Sequence, residues 1–348
     1  MKVAVTGASG LIGGALVASL RASGHEVIKL VRRPARSADE VRWDPRAADA
    51  GFSLSGDARS GSSGDAPSGP SGDVRSRSSG DVRSGPSGPS GDGRSGPSGP
   101  SGLDGLGACV HLAGAGVMDH RWTARYKAEI RASRVLGTRA LAGALTRLNS
   151  PPATLLCASA IGWYADTGGR AVDESAPAGK AFLSRVVQEW EAAAEPAADA
   201  GIRVVYLRSG LILTPAGGIL ARLLRPARLG LCPRFASGRQ AMSWISMSDE
   251  IGAIRFLLDR TDVSGPVNLT APAPVTNSEF TAALARAVGR RDLPWLRVPA
   301  PVLRVALGEG AAELLTSAQV TPKRLLDAGY EFRYPTLAKA LAAELAPV

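Results

Sequence analysis

A chain of 348 residues, 45% of them apolar, can bury a sizeable core as one large or two modest domains. Its formal net charge of +10 is nearly all arginine, because only six residues are lysine. The arginines are spread without an aromatic-interleaved basic patch or zinc spacing, which argues against a nucleic-acid partner and favours an anionic small molecule. No apolar run is long enough for a membrane span. Three cysteines, Cys109, Cys157 and Cys232, are too few for a disulfide framework. With no export pattern in "MKVAVTGASG", a cytoplasmic setting is expected.

The first element is the strongest. In "KVAVTGASGLIGGALVASLRASGHEVIKLVRR", Val3 to Thr6 reads as a strand, and a helix runs to about Ser23. Gly24 ends that helix and a second strand follows. Gly7, Gly10 and Gly13 stand between strand and helix, the fingerprint of a dinucleotide site. Gly7 allows the tight turn, Gly10 lets the backbone approach a pyrophosphate, and Gly13 lets the helix pack closely on the strand. The phosphates belong at the helix N-terminus, so Ser9, Leu11 and Ile12 join the glycines as expected cofactor contacts. Arg32 and Arg33 end the second strand, where a preference for the non-phosphorylated nucleotide would typically call for an acid. An arginine fork suits a ribose 2′-phosphate, so NADP(H) is the expected cofactor; plain solvated charge is the alternative for either arginine.

From Ser55 to Gly102 the chain is an imperfect repeat of "SGDVRSGPSGP" units with five aspartates against five arginines. Almost nothing in it can be buried, so a disordered insertion is expected. Beyond it, "GACVHLAGAG" reads as a strand whose small residues place Leu112, Ala113 and Gly114 against the cofactor. His111, inside the strand, is expected to be packed rather than to act as a base. The helix "RWTARYKAEIRASRVLGTRAL" carries Lys127 and Arg134 roughly on one face. "TLLCASAIG" is a buried strand reaching Ser159, and "IRVVYLRSGLIL" another with Arg208 near its end. Strands alternating with helices predict an α/β fold with a Rossmann-type doubly wound parallel sheet. Ligands then lie beyond the carboxyl ends of the strands, where Ser159, Tyr164 and Arg208 are expected to face.

The later segments predict a helix over the crevice in "TPAGGILARLLRPARLGLCPRF". A strand and a helix capped near Ser248 follow, with Asp249 and Glu250 in its first turn. Asn268 ends a short strand, and Thr276 or Asn277 caps the next helix. The expected domains are residues 1–54 with 103–265 for the nucleotide and 266–348 for a smaller C-terminal α/β substrate lobe. Residues 214–240 lend pocket elements to the lobe, and 55–102 is the insertion.

Taken together, "VTGASGLIG", "HLAGAG", "RWTARYKAEIRASRVLGTRAL", "ASAIGWYAD", "FLSRVVQEWE", "LRSGLIL", "GRQAMSWISMSDEIGAI", "GPVNLTAPAPVTNSEF" and "GYEFRYP" resemble the YfcH-like, epimerase-like subfamily of the extended short-chain dehydrogenases/reductases. The C-terminal part of these proteins is a domain of unknown function, DUF1731. The resemblance covers everything except 55–102. It implies a catalytic serine at Ser159, with a tyrosine and a lysine within "AFLSRVVQE". Those positions fall at Phe182 or Leu183 and at Val186 or Val187, all apolar. Arg134 stands where the superfamily usually has asparagine, and Ser246 where relatives commonly have histidine.

Hydride transfer to a carbonyl needs a proton source. Tyr164, five residues past Ser159, is the candidate donor or else a pocket wall. Lys127, Arg134 and Arg208 are candidates to hold an anionic substrate, with solvated helix charge as the alternative. Glu189 and Glu191 flank Trp190 and diverge, so they form no carboxylate pair. The three histidines lack ligand spacing, and no metal site is expected. Two readings lead. One is an NADP(H)-dependent oxidoreductase or nucleotide-sugar-type epimerase with an atypical site, and the other a non-catalytic NADP(H)-binding or redox-sensing protein. A third is catalysis by unfamiliar residues on a sugar or isoprenoid-like substrate. A homodimer is compatible with each.

Overall fold

The computed structural model describes residues 1–45, 52–53 and 103–346. The expected insertion at 55–102 lies outside the described residues. Strand β1 (Lys2–Thr6), helix α1 (Leu11–Ala22), β2 (Glu26–Val31), β3 (Glu40–Trp43) and β4 (Phe52–Ser53) come first. β5 (Leu106–His111), α2 (Ala124–Thr146), β6 (Thr154–Ala160), α3 (Phe182–Ala192) and α4 (Glu195–Asp199) follow. The central sheet runs Gly265–Leu269, Arg203–Ser209, β6, β5, β1, β2, β3, β4. Its first seven strands are parallel, and β4 closes the edge antiparallel to β3. The chain winds outward from β1 to β3 and then returns to β5 on the other side of β1. That reversal opens the crevice of a doubly wound sheet between β1 and β5.

Alternation along the strands divides the core. Val3, Val5, Val110, Leu156 and Leu207 face α1 and helix α6 (Met247–Asp259) on one side. Ala4, Cys109, Leu155, Cys157 and Val204 face α2 and α4 on the other. Each such aliphatic side chain, once fully buried, contributes roughly 1.5–3 kcal/mol. Gly24, at φ +77°, ends α1 as its sequence predicts: its N–H donates to Arg21 O, and His25 N–H reaches back to Leu20 O.

A third core forms the smaller lobe, where α5 (Gly218–Arg228) and α7 (Asn277–Ala287) pack with the C-terminal helix Leu337–Glu344 around Leu220, Trp244, Phe280 and Leu341. Thr276 caps α7 in a reciprocal box with Glu279. The strand Gly265–Leu269 crosses the 265/266 boundary and pairs with Arg203–Ser209 in the main sheet. The cap of α6 is Ser246, not Ser248: the strand Trp244–Ser246 keeps Ser246 extended, and its Oγ accepts from Asp249 N–H at 3.0 Å. Among the described residues no helix is long and apolar enough to cross a membrane, and no cluster of metal-ligating side chains occurs.

Candidate functional site

The turn after β1 meets the turn after β5 at the sheet's reversal. Gly7 has φ +67°, and a Cβ there would stand 2.9 Å from the backbone of Leu112. A Cβ on Gly13 would overlap the Gly7 carbonyl, so α1 can approach β1 this closely only with glycine. Gly10 caps α1 without a side-chain hydrogen bond, and no acid occupies the first turn. The N–H groups at the start of α1 therefore face an open edge at Ser9, Gly10 and Leu11, with Ile12 half-buried behind them. Such an end, carrying partial positive charge and no competing carboxylate, fits a pyrophosphate.

Thr6 fixes the opposite wall. Its Oγ1 accepts from the N–H groups of Leu112 and Ala113 at 3.1 and 3.2 Å, and bonds His111 Nδ1 at 2.7 Å. With two donors already on the hydroxyl, its own proton goes to Nδ1, and the imidazole proton belongs on Nε2. Burial pushes the His111 pKa down to about 4, so the ring is a neutral strut, as expected of a packed histidine.

At the end of β2 the two arginines differ. Arg33 donates both arms of its fork to Glu40 at 2.8 Å, and this contact with the Arg36 N–H holds the Glu40 carboxyl down at about 2. Arg32 is exposed, and its guanidinium has no partner among the described residues.

The residues expected to perform chemistry form a buried polar row. Ser159, Arg208 and Asn268 are register partners on three adjacent strands and point to the α3 side. Glu191 meets them from α3: it accepts from Ser159 Oγ at 2.6 Å and takes both arms of Arg208 at 2.8 Å. Arg208 also donates to the Tyr164 hydroxyl at 3.1 Å and stacks on Trp163 at 3.8 Å. Tyr164 passes its proton toward Asn268 Oδ1 at 2.7 Å, and desolvation raises its pKa. Arg208 is therefore held inside the fold by Glu191. It is 2% exposed because its strand position faces a helix that supplies a carboxylate. Arg134 is likewise turned inward, bonding the carbonyls of Ala115 and Ile130 and lying over Trp190, against Gly114. Lys127 pairs with Glu309 at 2.6 Å and sits near the Phe182 ring.

Phe182 and Leu183 are half-buried, and Val186 and Val187 are buried. No hydroxyl or ammonium stands at the tyrosine and lysine positions. Glu189 pairs with Arg131 at the surface while Glu191 turns inward. Sequence reasoning saw that divergence but missed the role of Glu191. The signal was its place with Ser184 and Val187 on one helical face.

Residues 3–52 match the model of the NAD dependent epimerase/dehydratase family, and residues 298–344 match a domain of unknown function, DUF1731. The epimerase family protein Mb2239 of Mycobacterium bovis is 38% identical over 340 residues, covering 97% of this chain and 96% of its own. This chain belongs to the epimerase family. The crystal structure of human epimerase family protein SDR39U1 (isoform 2) with NADPH is 31% identical and covers 99% of this chain and 98% of its own, at a TM-score of 0.77. A nucleoside-diphosphate sugar epimerase from Corynebacterium glutamicum has 30% identity and a TM-score of 0.69, matching 99% of this chain and 58% of its own. Sequence and structure both tie this epimerase-family chain to NAD(P)-dependent epimerase and oxidoreductase proteins.

In this family member the polar row also anchors the C-terminal lobe. Asn268 Nδ2 donates to Thr321 O, and Glu174 accepts from the N–H groups of Asn268 and Arg324. Burial raises the Glu174 pKa against those backbone contacts.

Proposed function

We propose that this chain is an NADP(H)-dependent oxidoreductase or epimerase acting on a small anionic molecule. The observation that carries the reading is the pre-shaped nucleotide cradle: Gly7, Gly10 and Gly13 against Leu112–Gly114, with the uncapped start of α1 aimed at the gap. Arg32 beyond β2, without a partner among the described residues, supports the phosphorylated nucleotide, and the human relative was crystallised with NADPH. When bound, the nucleotide would supply hydride. The chain's residues would hold it, keep water out through the apolar wall of Phe182 and Leu183, and keep the crevice rigid through Glu191 and Arg208.

A second reading, a non-catalytic NADP(H)-binding protein, is favoured by one observation. The hydroxyls of Ser159 and Tyr164 are both committed to buried partners and leave no proton aimed at a carbonyl. Incubation with 4R- and 4S-deuterated NADPH and a carbonyl mixture, followed by mass spectrometry, separates the two. Stereospecific label transfer supports the enzyme. Tight NADPH binding with neither label transfer nor any change in substrate stereochemistry supports the binding protein, since an epimerase returns its hydride internally and leaves no net label.

A further inference from the structure

A cavity of about 160 Å³ opens between the segment leading into α2, the outer face of α5, and the C-terminal residues Ala306, Leu307 and Gly310. It is about ten times the space one water needs, so it admits a polyatomic ligand. Two arginines line it from separate elements, Arg121 and Arg222. Arg121 is exposed, and its guanidinium has no hydrogen-bond or ion-pair partner among the described residues. It lies across Gly308, where a Cβ would stand 2.8 Å from Arg121 Nε. That glycine, at φ +63°, gives the arginine its path along the cavity wall. Arg222 uses one N–H on Met118 O at 2.8 Å and keeps only a loose 3.8 Å contact with Asp119, both side chains being more than half exposed.

Among the lining residues Asp119 is the sole acid, against two arginines and His120. Lys127 nearby is already neutralised by Glu309. Trp122 and Leu307 supply an apolar wall beside the charged one. A single arginine fork matches the two oxygens of a carboxylate. Two forks arriving from different directions match a group with three outward oxygens.

We infer that this cavity receives a phosphoryl group of the substrate, held by Arg121 and Arg222 with the rest of the molecule against Trp122. The assignment rests on the substrate reading above and replaces Arg134 and Arg208 as the anion-holding residues.

The test is calorimetric titration of NADPH-saturated protein with inorganic pyrophosphate at constant ionic strength, with acetate as the carboxylate control. Saturating NADPH keeps the probe out of the nucleotide cradle. The expected result is one-to-one pyrophosphate binding, weakened about tenfold in Arg121→Gln and in Arg222→Gln and lost in the double variant. Thermal stability and NADPH affinity should match the wild type in all three. Absence of saturable uptake by the wild type, uptake undiminished in the double variant, or equal binding of acetate would each overturn the assignment. The site is scored from the difference between wild type and double variant. A wild type unable to bind NADPH would therefore overturn the nucleotide reading while leaving this comparison intact.

Discussion

Arg33 holds Glu40 with two contacts of 2.8 Å, while Arg32 beside it stands exposed with no partner among the described residues. The pair looked equivalent as consecutive letters. In the fold, only Arg32 has its donors available for a 2′-phosphate, since Arg33 would have to leave a carboxylate that stays ionised down to about pH 2. Replacing Arg32 with alanine is expected to weaken NADPH binding about 10- to 100-fold, the worth of one or two charge-assisted hydrogen bonds. NADH binding should barely change. Fluorescence titration of both nucleotides checks this, and an equal loss for both would assign Arg32 to general surface charge.

Among the helices, α6 shows how an element's packing overrides its sequence signature. Acids in a first turn usually face solvent and complement the helix dipole. Here α6 lies against α1 and the sheet, so Glu250 is 1% exposed. Ser209 Oγ donates to its Oε1 at 2.6 Å, while Oε2 has no partner among the described residues. Desolvation pushes the Glu250 pKa up to about 8 from an ordinary 4.5. Between those values the folded chain keeps a proton that the unfolded chain has released. Folding stability must therefore fall as pH rises, by about 1.4 kcal/mol per pH unit from this group. The variant Glu250→Gln loses that dependence and should gain on the wild type steadily from pH 5 to pH 8 in urea denaturation. Parallel profiles would show that Glu250 is ionised in the folded protein.

At the scale of the whole molecule, the row from Ser159 through Glu191, Arg208, Tyr164 and Asn268 to Thr321 ties the sheet, α3 and the C-terminal lobe together. Glu191→Ala would leave the Arg208 charge buried without its counterion, at a cost of about 3–5 kcal/mol. Ser159→Ala removes one hydrogen bond and is expected to cost about 1 kcal/mol. Urea midpoints of the two variants decide the order. Similar small losses would mean that water enters and rehydrates Arg208.

The glycine spacing after β1, the strand–helix alternation and the cap of α7 were legible because each depends on neighbours within a few residues. Backbone sterics at Gly7 and Gly13 leave little choice, and hydrophobic period marks the elements. The apolar residues at Phe182, Leu183, Val186 and Val187 were equally plain, and with them the loss of the tyrosine and lysine. By itself, then, the sequence determined the glycine turn after β1, the doubly wound sheet and the apolar character of Phe182, Leu183, Val186 and Val187. Tertiary structure decided which charges are free. Arg208 lies 17 residues from Glu191 and Ser159 lies 32 from it, and only the pairing of β6 with Arg203–Ser209 beneath α3 brings them to 2.6–2.8 Å. Arg121 and Arg222 meet at one cavity only because the C-terminal lobe folds back over α2 and α5. Whether a charged side chain serves the fold or a ligand depends on burial and on the partner across the gap, and those are set by segments distant in the chain.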